Sequence, residues 1–146
     1  MLVYPTAPGP VDCRSVVVPA CEQDGDASQT APIAALALFQ MRIRDTLDFQ
    51  VDFSQWLAQN GNPVLTGATF AVAAGSPSAP TLVGQAFTPG GRCVVVLAAP
   101  IGAKAGDAYY LDITANIGAT VALMPTDVAI PARTLVRRIN VILVNG

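Results

Sequence analysis

Residues 45–56 read DTLDFQVDFSQW, and their alternation decides the fold class. Leu47, Phe49, Val51 and Phe53 occupy every second position, with Asp48, Gln50 and Asp52 between them. Successive side chains of an extended chain point to opposite faces, so the pattern describes a half-buried antiparallel strand with one dry and one wet side. Residues 54–57 then read as a helical turn carrying the only tryptophan, Trp56. Gln59, Asn60, Gly61, Asn62 and Pro63 follow as a loop rich in residues that accept left-handed geometry.

Outward from this stretch the same logic repeats. Residues 33–43 form an apolar segment whose periodicity fits a strand or a short helix, and we read it as strand. Residues 64–73 put Ala68, Phe70 and Val72 on one face, residues 81–87 form a short strand, and Pro89-Gly90-Gly91 is a turn. Residues 92–99 are a continuous apolar strand expected at the centre of a sheet. With residues 108–115 and 134–144 the total is about seven strands, separated by turn signals and by no amphipathic helix. That spacing predicts an all-β fold, an antiparallel immunoglobulin-like β-sandwich with a jelly-roll as the alternative, and argues against an α/β fold. The sandwich domain covers residues 31–146, long enough to bury a core without staples.

Residues 1–30 differ in kind. They are rich in proline, glycine and small polar residues, with a β-branched patch at Val16, Val17 and Val18. Proline lacks a donor and fixes its own φ, so the segment reads as an extended, Pro-rich N-terminal arm that docks on a partner or stays disordered. The residues expected to touch a partner are Tyr4, Pro5, Val16, Val17 and Val18. Asp24-Gly25-Asp26 lacks the further acidic ligands of a calcium loop and reads as a turn.

Several motifs resemble a known family. The D-x-x-x-D-F-S-x-W-L run starting at Asp48, followed by its Gly/Asn turn, is similar to the opening of small immunoglobulin-like proteins of tailed-phage virions, the fibre–tail adaptor family. The segment from Ala105 to Thr114 (AGDAYYLDIT) resembles that family's penultimate strand, and the segment from Ala132 to Val144 (ARTLVRRINVILV) its closing strand after an Arg-Thr turn. The resemblance spans roughly residues 45–144 and finds no counterpart for the first forty-odd. It implies a virion protein assembled in the bacterial host cytoplasm, joining tail fibres to the tail or neck. The alternative is a capsid cement protein clamping adjacent capsomers of the major capsid protein. A carbohydrate-binding adhesion module ranks third, because aromatic residues make up only 6% of the chain.

Composition favours assembly. Hydrophobic residues reach 52% and charged residues only 12%, against about 25% charged in an average soluble protein, so much of the surface is expected to be covered by neighbours, including copies of the chain itself. A net charge of −2 provides no basic field for nucleic acid. Arg133, Arg137 and Arg138 are the only basic cluster and read as a solvated strand end or a charged edge, with Arg137 and Arg138 on opposite faces.

Chemistry finds little purchase. With 0 histidines the Ser-His-Asp and Cys-His arrangements are excluded. Asp48 and Asp52 share a face but lie roughly 13 Å apart along a strand, beyond the usual glycosidase pair. No phosphate loop or dinucleotide fingerprint occurs, and Lys104 is the only lysine. The three cysteines lack metal-ligand spacing; Cys13 and Cys21 could pair only in an oxidising compartment, and Cys93 reads as a buried thiol. We therefore expect no enzyme activity, cofactor or metal. Residues 1–20 lack the apolar core of a secretory signal, and no apolar run approaches the roughly 20 residues needed to cross hydrocarbon, so no membrane contact is expected.

Two further aromatic positions complete the reading. Tyr109 sits where sandwiches often place a corner tyrosine, though it equally suits ordinary core. The Trp56 indole is expected to cap one end of the sandwich with its N–H held by a loop carbonyl.

Overall fold

The structure, a computed structural model, describes residues 14–19, 35–73, 80–120, 124–126 and 128–145. Its strands are β1 (Ser15–Val17), β2 (Ala35–Arg42), β3 (Thr46–Asp52), β4 (Leu65–Val72), β5 (Thr81–Phe87), β6 (Arg92–Ala98), β7 (Ala108–Ile117) and β8 (Arg133–Val144), with one short helix, α1 (Ser54–Gln59). They form two four-stranded sheets, β1-β3-β6-β5 and β2-β8-β7-β4, packed as a sandwich.

The alternation read at residues 45–56 holds. Phe49, Val51 and Phe53 are fully buried, and Phe49 stacks on Phe39 of β2 across the core with ring centroids 5.2 Å apart. Leu97 of β6, Leu111 and Ile113 of β7, and Ile139, Val141 and Leu143 of β8 fill the rest of the space between the sheets. Within the ambiguous segment at residues 33–43, Ala35–Arg42 is a strand, and β6, apolar from Cys93 to Ala98, lies between β3 and β5, as its continuous apolar run predicts.

Two expectations are corrected. The sheets are mixed, because β1 runs parallel to β3 and β2 parallel to β8. A parallel neighbour cannot be reached by a hairpin. β2 instead turns directly into β3 of the opposite sheet, through Arg44 at φ 75° and the Asp45 N–H donating to the Arg42 carbonyl at 3.1 Å. Periodicity records which face a residue takes but not the direction of the neighbouring strand. The second correction concerns the wet face of β3. Gln50 is only 7% exposed and its register partner Val94 only 2%, and β1 adds a fourth strand beside β3 that puts Ser15 opposite Gln50.

β1 comes from the stretch assigned by sequence to the arm. Arg14 donates to the Asp48 carbonyl at 3.0 Å and pairs with its carboxylate at 3.3 Å, and the Val18 N–H donates to the Asp52 carbonyl at 2.9 Å. The rest of the arm lies outside the described residues, as do Cys13, Cys21 and the turn at Asp24-Gly25-Asp26.

Candidate functional site

The aspartates that a catalytic reading would need have structural jobs. Asp48 holds Arg14, and the Asp52 carboxylate accepts from the N–H of Ser54, the first residue of α1, at 2.8 Å. The helix buries Trp56 and Leu57 against one end of the sandwich. Trp56 does cap that end, and the partner found for its ring is the Arg133 guanidinium, 4.8 Å from the ring centroid. Among the described residues no group of three or more His, Cys, Asp or Glu is placed to hold a metal.

The three arginines of β8 do not form a solvated cluster, contrary to the sequence reading. From Arg138 onward β8 lies between β2 and β7, while Arg133–Arg137 pair with β7. Arg133 covers Trp56. Arg137 points inward, is 4% exposed, and donates to the Val136 carbonyl at 2.9 Å. Arg138 points outward and makes two hydrogen bonds to Asp112, at 2.8 and 3.1 Å, with Tyr110 beside it at 5.9 Å. The hydrogen bonds to Asp112 raise the Arg138 pKa above its ordinary value. Opposite faces were legible from the alternation; the partners were not, because they come from β7 and α1.

Tyr109 is ordinary core. It is fully buried, its hydroxyl meets no hydrogen-bond partner, and burial pushes its pKa up to about 12. Cys93 is a buried thiol as expected, pushed up to about 12 by burial and secondarily by Asp52.

The surface that remains chemically open is the β5 edge. Among the described residues β5 has a single neighbouring strand, β6, and its sequence TLVGQAF contains no charge and no proline. Leu82, Val83 and Phe87 are exposed, at 36%, 58% and 37%. The register with β6 breaks between Leu82 and Gly84, a bulge that turns Val83 outward.

The turn after β5 is tied to β3 and α1. Within it the Thr88 N–H donates to the Arg92 carbonyl at 2.8 Å, and the Gly91 carbonyl accepts from Phe53 N–H at 2.8 Å. Gly91 sits at φ 116°, and a Cβ there would lie 2.6 Å from the Ser54 nitrogen, so only glycine permits this approach. The adjacent edge of β4 is partly closed, because the Gln85 side-chain oxygen accepts from the Phe70 N–H at 2.7 Å. Sequence reading found the β5 strand but not its exposure. The available signal was a strand with neither charge nor clean alternation.

Two smaller apolar features lie elsewhere. Ile43, Arg44 and residues 99–103 line an open groove of about 380 Å³ at the end of the sandwich opposite α1, where Ile101 is fully exposed. Of the residues expected to bind a partner, Val17 is 48% exposed on β1, Val16 packs against the core and Val18 is fully buried within it. Tyr4 and Pro5 lie outside the described residues. Comparison with protein-family models and with curated proteins finds no match to this chain.

Proposed function

We propose that this protein is a non-enzymatic structural component of a phage virion, an immunoglobulin-like adaptor that joins tail fibres to the tail or neck. The observation that supports an assembly role is the β5 strand: seven uncharged residues with exposed apolar side chains, a surface suited to a neighbour rather than to solvent. Strand order supports the immunoglobulin-like assignment. β3-β6-β5 and β4-β7-β8 follow the strand order of the two sheets of that sandwich and β2 lies along the last strand, while β1 lies beside β3 but parallel to it, unlike the antiparallel first strand of that sandwich. Fold alone does not choose a function; the phage assignment rests on the sequence resemblance.

A capsid cement protein is the second reading, favoured by a separate observation. Exposed apolar side chains lie on several sides of the sandwich: Ile101 at one end, Val128 in the segment between β7 and β8, and Leu38 on the strand β2. A cement protein gains affinity by engaging several boundaries at once. The adhesion module finds less support, since Trp56, the best ring for stacking on a sugar, is only 6% exposed.

Quantitative mass spectrometry of purified particles, scaled to the portal protein, tests both. An adaptor on a closed ring is expected at about a dozen copies per particle and a cement protein at hundreds, on the order set by the symmetry each site obeys. Absence from particles overturns the virion reading.

A further inference from the structure

We infer that β1 is a strap that opens on its own: residues 14–18 leave the side of β3 while the rest of the sandwich stays folded. Each opening uncovers the slot filled by Val16 and Val18 and the β3 main chain from Gln50 to Asp52. The inference rests on how β1 is fastened and stands apart from the virion reading.

β1 has 3 residues, where the other strands have 7 to 12. It meets β3 through a parallel ladder at Ser15, Val16 and Val17, and parallel pairs are slightly less stable per residue than antiparallel ones. Its fastenings beyond that ladder are few. The Val18 N–H donates to the Asp52 carbonyl, and Arg14 holds Asp48 by an ion pair whose side chains are 25% and 27% exposed, so water competes for both charges. The polar contact inside the seam is poor. Gln50 Nε2 donates to the Ser15 hydroxyl at 3.4 Å, a long bond, and Gln50 Oε1 is buried with no hydrogen-bond partner. A buried carbonyl without a donor destabilises the closed form, and opening returns it to water. Two side chains oppose release, since Val16 packs against the core and Val18 is fully buried. Against their burial stands the conformational entropy lost in ordering every residue from Arg14 to Val18. β3 keeps its place without the strap, because it pairs with β6 along its whole length, from Thr46 to Asp52.

Native-state hydrogen exchange of the full chain, read residue by residue by NMR, tests this. The Val18 amide should exchange at least about a hundredfold faster than that of Leu111 on β7, and should barely respond to low urea, because opening the strap exposes little surface. Ile113→Val, a change in the core of the other sheet, should speed Leu111 about fivefold and leave Val18 as it was, because the opened form keeps every contact of Ile113. Asp48→Asn should speed Val18 about threefold, through loss of the Arg14 pair. A Val18 amide that exchanges at the Leu111 rate, or that follows Leu111 in urea and in Ile113→Val, would mean that β1 leaves only with the whole sandwich, and overturns the proposal. So does a Val18 rate indifferent to Asp48→Asn, which would mean that Arg14 does not leave with β1. None of these outcomes bears on particle copy number, so the two readings fail separately.

Discussion

β8 and β5 invert the usual relation between charge and burial. β8 carries three arginines, yet from Arg137 onward its alternate positions are buried, and from Arg138 onward it lies between two strands. β5 carries no charge at all, yet nearly every position is exposed or half-exposed. Each arginine of β8 is tolerated because it meets a specific group: the Trp56 ring, a backbone carbonyl, the Asp112 carboxylate. β5 is exposed because it has only β6 beside it among the described residues. Burial here follows place in the strand order, and hydropathy decides only what a given place costs or leaves open for association.

Truncation separates the two strands most sharply. Ile139→Ala, at a fully buried position of β8, should cost about 3 kcal/mol in urea denaturation, from lost transfer energy and a cavity between the sheets. Val83→Ala on β5 should fall within about 0.5 kcal/mol. Equal costs at the two sites would break the contrast.

A smaller effect is expected at the outward-facing pair. Arg138 and Asp112 are 18% and 23% exposed, so solvent screens part of their attraction. Asp112→Asn should therefore cost about 1 kcal/mol, and less in high salt. A loss that does not shrink with salt would show that the carboxylate acts through packing rather than charge.

A change of opposite sign is expected at the unpartnered hydroxyl on β7. Tyr109→Phe removes a buried group that makes no hydrogen bond and should be neutral or stabilising by up to about 1 kcal/mol. Its larger consequence comes in alkali. Burial raises Tyr109 from 10.0 to about 12 and Cys93 from 9.0 to about 12. The folded chain holds both protons more tightly than the unfolded chain does. Their contribution is therefore fully present below pH 9 and is lost as pH rises towards 12. Urea midpoints measured across that range should fall less steeply in Tyr109→Phe than in the parent chain. An unchanged slope would mean that the hydroxyl already ionises in the native state.

Much of this was legible in the chain itself. The period-2 pattern at residues 45–53 determined the inward face of β3, because side-chain direction in a strand is a local property, and the unbroken apolar run at 93–98 put β6 at the centre of its sheet. β1 was visible only as three β-branched residues, Val16, Val17 and Val18, in a proline-rich stretch, too short for periodicity to register.

What the sequence determined alone was the class of the fold: strand positions, their inward faces, the absence of histidine chemistry, and the shortage of surface charge. Only the tertiary structure decided which strands became neighbours, and with them the parallel pairings of β1 and β2, the separate partners of Arg133, Arg137 and Arg138, and the exposure of β5. Strand neighbours here are joined by hydrogen bonds between residues as much as a hundred positions apart, as where Phe39 pairs with Val141, and backbone hydrogen bonding carries no side-chain signature by which one strand could announce its partner.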